Sequence, residues 1–154
     1  MRIAILHDEV PAGAAPDVAD ALVQARHVAT VLRRLGHAPT AVPVTLDLPA
    51  LQQTLADLRP DLAFNLVEAP AGQGRLIHLL PSWLDALGLP YTGSPVEAIF
   101  LTSHKLLAKR QMVAEGLPTP PCAGAGAPAR GVFIIKSVWE HASIGMDDDA
   151  IQDF

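Results

Sequence analysis

Gly88-Leu-Pro-Tyr-Thr-Gly-Ser94, followed by Leu101-Thr-Ser-His-Lys105 and then Gly116-Leu-Pro-Thr-Pro-Pro121, decides how this chain is read. Pro90 fixes its own φ and pushes Leu89 out of the α region, so a helix arriving from upstream stops there and a short strand follows. Gly93 permits a tight turn at the end of that strand, and Ser94 or Pro95 opens the next helix. Ser103 reads as the N-cap of a helix bearing Lys105 and Lys109. Gly116 reads as its C′ residue and Pro118 as a hard stop.

Upstream, Arg2–Leu6 is an apolar β run that ends in the polar, turn-rich His7-Asp-Glu-Val-Pro-Ala-Gly13. Val18, Ala21, Leu22, Ala25, Val28, Ala29, Leu32 and Leu35 then recur at three and four, the stripe of one long amphipathic helix closed by Gly36. Ala41–Val44 reads as a second strand, and Leu48, Leu51, Leu55 and Leu58 as a second helix ending at Arg59-Pro60. Asp61–Val67 is a third strand, apolar nearly throughout, as in a parallel strand covered on both faces. Arg75–Leu87 is helical, with Pro81 either kinking it or starting a new helix. Leu89–Thr92 makes the fourth strand. Strand alternating with helix predicts a parallel sheet with helices on its faces, and the right-handed crossover rule makes a Rossmann-like layer the leading topology. Ligands of such sheets sit beyond the carboxyl ends of the strands, so His7–Glu9, Glu68–Gly74 and Gly93–Ser94 are expected to face one crevice.

Beyond Ser94 the alternation changes. Pro95–Leu101 and His104–Glu115 are helical, Ala123–Arg130 is a small-residue connector, and Gly131-Val-Phe-Ile-Ile-Lys-Ser137 is a buried-type strand. A loop with His141, Ser143 and Gly145 follows. Asp147–Phe154 is expected to begin a helix, because its aspartates suit a positive N-terminus, and to break off in mid-element. The strand at 131–137 is expected to lack a partner within the chain. Two domains result, 1–94 and 95–154.

Composition limits the partners. Half of the 154 residues are apolar, enough for a packed core, and the net charge of −5 argues against a nucleic-acid or anionic-membrane partner. No apolar run approaches a bilayer span, and the start lacks the order of a signal peptide. Cys122 is the single cysteine, so the chain holds no disulfide framework or cysteine metal site. The expectation is a soluble cytoplasmic α/β protein.

Lys136, at the end of an apolar strand, either snorkels from a sheet edge or serves as a phosphate ligand in a partly dry site. Ser143-Ile-Gly145 is either a plain turn or a loop whose backbone N–H groups fold over phosphates. Gly72-Gln-Gly74 lacks the third glycine of a dinucleotide fingerprint and does not follow the first strand. Glu68 reads as a solvated loop carboxylate. His7, His27, His37, His78, His104 and His141 form no spaced metal pair such as H-E-x-x-H. Asp147–Asp149 reads as a helix start rather than a metal site.

Leu87–Ser94, Leu101–Arg110 and Gly116–Pro120, with Phe64-Asn-Leu-Val-Glu68 before them and Ile135-Lys136 and Ser143-Ile-Gly145 after, resemble D-alanine–D-alanine ligases and their ATP-grasp relatives. The resemblance covers about the first half of such an enzyme. It implies a Rossmann-like lobe over 1–94 that precedes an incomplete ATP-grasp α+β lobe over 95–154. It implies an ATP-dependent, ADP-forming carboxylate–amine ligase that works through an acyl phosphate. In that reading Lys105 and Lys136 contact the nucleotide phosphates, Gly145 belongs to the loop that closes over them, and Ser143 helps position the first substrate, an amino-acid-like molecule. ATP and Mg2+ are the implied cofactors, the metal ligands lying outside this chain, so no metal residue is assigned. His104 stands where the family commonly has Asp, and Ser137 where it commonly has Pro. The family's Ser/Ala-Glu pair before the first helix is absent, leaving Glu9, Asp17 and Asp20 as candidates. The chain alone is expected to be inactive, the rest being supplied by a longer product or a separate chain; the partner expected beside the small molecules is a second chain or a homodimer. The alternative is a non-catalytic binding or dimerisation module derived from such a ligase.

Overall fold

The computed structural model describes residues 1–122, 130–140 and 148–154. The chain divides into two compact units, Met1–Val96 and Glu97–Phe154. Among the described residues no helix is long and apolar enough to cross a membrane.

In the first unit β1 (Arg2–Asp8), α1 (Pro16–Arg34), β2 (Ala38–Val44), α2 (Leu48–Leu58), β3 (Leu62–Asn65) and α3 (Leu79–Leu87) alternate. The strands form a parallel sheet in the order β2-β1-β3, with Ile5 opposite Ala41 on one side and Phe64 on the other. The α/β alternation and parallel sheet expected from the sequence are therefore present. The alternation of side chains along β1 sorts the core. Ala4 and Leu6 pack with Val42, Val44 and Ala63 against Leu51 and Leu55 of α2 and Leu80 and Leu84 of α3. Ile5 faces the other way, onto Ala25 and Ala29 of α1. A helix on each face is what makes β1 nearly continuous in apolar residues. The α1 stripe is buried only in its middle; Val18 and Leu35 at its ends are 42% and 65% exposed.

Local chemistry sets the helix limits. Asp47 caps α2, its carboxylate accepting the Ala50 N–H at 3.0 Å. Pro81 sits in the first turn of α3, where its missing N–H costs nothing, so of the two expected outcomes it starts a new helix, preceded by a 3-10 turn at Gly74–Leu76. Gly88 ends α3 at φ 64°, a left-handed position that a glycine takes without steric cost. The expected fourth strand, Leu89–Thr92, shrinks to one parallel bridge between Ala63 and Tyr91. The Ala63 N–H donates to the Pro90 carbonyl at 2.8 Å and the Thr92 N–H to the Ala63 carbonyl at 3.0 Å. Pro90 has no N–H to offer, and the turn at Gly93 follows at once, which leaves no length for a ladder.

The second unit carries α4 (Val96–Ser103), α5 (Lys105–Ala114), β4 (Val132–Ile134) and β5 (Ile151–Asp153). Four expectations change here. The N-cap of α5 is His104 rather than Ser103, which is the last, buried residue of α4. Residues 148–154 do not start a helix: a 3-10 turn at Asp148–Ala150 leads into β5. β4 therefore has a partner within the chain, pairing antiparallel with β5 so that Ile134 lies opposite Ile151. Aspartate is a weak helix former, so pairing with β4 prevails over a helix here, but β4 is not of the buried type expected: Val132 is 70% and Ile134 52% exposed. Gly116 follows the α5 C-cap at φ 68°, as expected of a C′ glycine.

Candidate functional site

The second unit gathers two lysines around one turn. Lys105 is the first helical residue of α5, and its backbone N–H donates to the Val138 carbonyl at 3.1 Å. Its ammonium, on the same residue, donates to the Glu140 carbonyl. The turn over 137–140 is closed by the Glu140 N–H on the Ser137 hydroxyl at 3.2 Å. Trp139 is held edge-on to His104, with ring centroids 4.6 Å apart, and tilted against Phe100 at 6.3 Å. His104 itself accepts the Leu107 N–H at Nδ1, 3.3 Å away. Backbone, ammonium and ring contacts thus fix the turn to the start of α5.

The charge balance follows from that packing. Partial burial lowers the pKa of Lys105 below the usual lysine value, the neighbouring Lys136 charge lowers it further, and Glu140 works in the opposite sense. Lys136 is exposed while Lys105 is half-buried. The pair is a local excess of positive charge with one carboxylate nearby, an arrangement that attracts an anion rich in oxygen acceptors. Lys109 is differently engaged: its ammonium donates to the Thr119 hydroxyl at 3.0 Å and the Pro120 carbonyl at 2.6 Å, tying the exit of α5 back onto the helix.

Of the residues singled out from sequence, Lys105 and Lys136 come close enough to feel each other's charge. Ser143, Gly145 and His141 lie outside the described residues, as do 123–129 of the expected connector. Sequence reasoning missed His104, Trp139 and the Glu140 carbonyl as the groups that hold Lys105. The position of His104 directly before the lysine was the one available signal.

In the first unit the ends of β1 and β3 are tied together. One oxygen of the Asp8 carboxylate accepts the N–H groups of Glu68 at 2.8 Å and Ala69 at 2.9 Å. The Thr92 hydroxyl accepts the Asn65 N–H at 3.1 Å. Glu68 and Glu9 are exposed, and Asp20 is exposed with its carboxylate accepting from Gln24 at 2.8 Å. The Asp17 side chain lies outside the description. His7 is buried on the α1 face, Nδ1 against the Asp8 carbonyl at 2.9 Å, and lines a groove of about 290 Å³ with Arg26 and Arg33. Among the described residues no group of three or more His, Cys, Asp or Glu is placed to hold a metal ion.

No family model matches the chain. It is 36% identical over 120 residues to the D-alanine–D-alanine ligase of Gloeobacter violaceus, an alignment covering 78% of this chain and 36% of that one. It is 35% identical over 117 residues to the same enzyme of Xylella fastidiosa, covering 76% and 37%.

This chain is a relative of the D-alanine–D-alanine ligases.

It spans about a third of the length of the curated ligases it matches. Among solved structures it resembles the D-alanine–D-alanine ligase of Bacillus anthracis complexed with ATP. The TM-score is 0.57 at 18% identity, over 79% of this chain and 38% of that ligase. At that identity the likeness to the ligase is one of fold.

Proposed function

We propose that this chain carries the nucleotide-facing N-terminal part of an ATP-dependent carboxylate–amine ligase. The observation behind the proposal is the Lys105 ammonium on the Glu140 carbonyl, in the turn that directly follows Lys136. The relatives are ligases by name, and the solved relative holds ATP. In the proposed reaction ATP phosphorylates a substrate carboxylate, and an amine then attacks the acyl phosphate to form the C–N bond, releasing ADP and phosphate. The contribution of this chain is electrostatic: two ammonium groups meet phosphate oxygens whose charge must be neutralised as the phosphoryl group moves. Lys105 exchanges a neutral carbonyl acceptor for an anionic one when phosphate arrives, which strengthens its hydrogen bond. Ser143 is proposed to position the first substrate, an amino-acid-like molecule, and Gly145 to give the phosphate-covering loop its freedom. Magnesium would accompany the nucleotide, held by carboxylates outside the described residues. The domain roles proposed are a Rossmann-like lobe over 1–94 and the start of an ATP-grasp lobe over 95–154, in a cytoplasmic protein. Ligase turnover is proposed to need the part of the ligase fold that this chain does not span.

Titration calorimetry with MgATP tests this reading on the chain as it is. Binding that weakens about ten-fold or more in each of Lys105→Met and Lys136→Met is expected, the loss of one charge-assisted hydrogen bond. Absence of MgATP binding at millimolar concentration would leave a non-catalytic binding or dimerisation module as the better reading. Ligase turnover by this chain alone would refute the need for a missing part.

A further inference from the structure

Lys105 begins a helix whose N-cap is an imidazole, and that choice has a chemical consequence. The Leu107 N–H is one of the first-turn amides that no helix carbonyl can satisfy, and here it is served by Nδ1 of His104 at 3.3 Å. A ring nitrogen accepts only when it carries no proton, so the cap requires neutral imidazole with its hydrogen on Nε2. Protonation at Nδ1 replaces the acceptor by a donor facing another donor. It also places a cation at the positive end of α5.

We propose that His104 is a positioning residue whose neutral ring holds the first turn of α5, and with it Lys105, so that the start of this helix loosens when the ring is protonated. Lys105 follows His104 directly on α5, and the charges that act on Lys105 are Lys136, just before the 137–140 turn, and Glu140 on it. α4 adds Phe100, tilted against the Trp139 ring, and its acidic residue Glu97 lies in the first turn at the far end of that helix. The Trp139 edge against His104 couples the ring to the turn that receives both the N–H and the ammonium of Lys105. As a device bearing on function, this rests on reading Lys105 as a phosphate ligand; as a statement about the helix, it does not.

The test uses NMR on the whole chain without nucleotide, from pH 8 to pH 5. The expected result is a His104 ring with an unprotonated Nδ1 at pH 8. The Leu107 amide shift should follow the ring's titration, and the Leu107 and Ala108 amides should lose about five- to ten-fold of their protection, corrected for intrinsic exchange, once it is protonated. Asparagine caps helices well and does not titrate, so His104→Asn should keep that protection at every pH, while His104→Ala lacks it throughout. A Leu107 amide that ignores the ring's titration, or His104→Ala with wild-type protection, overturns the proposal. Coupled titration in a chain that binds no MgATP would support the capping role and sink the phosphate reading instead.

Discussion

The carboxylate of Asp8, at the end of β1, accepts the backbone N–H of Glu68 at 2.8 Å across sixty residues of sequence. The same oxygen takes the Ala69 N–H at 2.9 Å, so one charged group fixes the loop that leaves β3. Its other oxygen is buried without a hydrogen-bond partner among the described residues. Because an ionised acceptor bonds more strongly than a neutral one, Asp8→Ala should cost about 2 kcal/mol and Asp8→Asn less, since its amide oxygen still accepts. Urea unfolding followed by circular dichroism reads both; equal losses for the two variants would show that the charge contributes nothing.

Leu84 is 0% exposed and Leu80 1%, and both point from α3 into the cluster that covers one face of the sheet. Leu84→Ala should therefore destabilise the first unit by about 2–5 kcal/mol through lost transfer energy and the cavity left behind. The more exposed Val23, on the outer side of α1, is the control: Val23→Ala should stay within about 0.5 kcal/mol. Thermal melts of the two variants should differ by several degrees.

Lys105 carries a sign-definite pH signature. Its folded pKa is lowered, so between that value and the usual lysine pKa the unfolded chain binds more protons than the folded one. Stability is therefore reduced while both states are charged, and recovers as pH rises through the lowered pKa toward the usual one. Lys136→Met removes the second cause of the shift and leaves burial, the first. The Lys105 titration, followed by NMR of its side chain, should move up in this variant and stop short of the usual value. A titration that does not move would show that the two ammonium groups lie too far apart to share an anion.

Two prolines protect the outer strand of the sheet. The Ala38 N–H donates to the Met1 carbonyl at 2.9 Å at one end of β2, and the Glu9 N–H to the Val44 carbonyl at 3.3 Å at the other. Alternation then turns Ala38, Thr40, Val42 and Val44 toward β1, and Pro39, Ala41 and Pro43 outward. Proline is tolerated where its missing N–H would have met solvent, and it denies that edge to an incoming strand. Replacing both with Val should leave the fold intact and increase concentration-dependent association in light scattering. Unchanged association would mean that another feature guards the edge.

Local signals in the sequence were enough for the alternation of β1, α1, β2, α2 and β3 in the first unit. The three-and-four spacing of α1 and α2, the apolar runs of β1 and β3, and the Gly88 and Pro90 punctuation are local signals, each with a single backbone solution. The sequence also carried the kinship with D-alanine–D-alanine ligases, and it marked Lys105 and Lys136 as a pair. Tertiary structure decided what depends on a distant partner. Asp148–Asp153 became a 3-10 turn and a strand because β4 needed hydrogen bonds, which no window of local propensity reveals. His104 became a cap, and Trp139 its support, because a turn more than thirty residues downstream docks on the start of α5. Local preferences are worth tenths of a kcal/mol to about 1 kcal/mol per residue, and the hydrogen bonds of a strand pair, each of about that size, add along the ladder. Where the two conflict, the contact made across the chain decides the conformation.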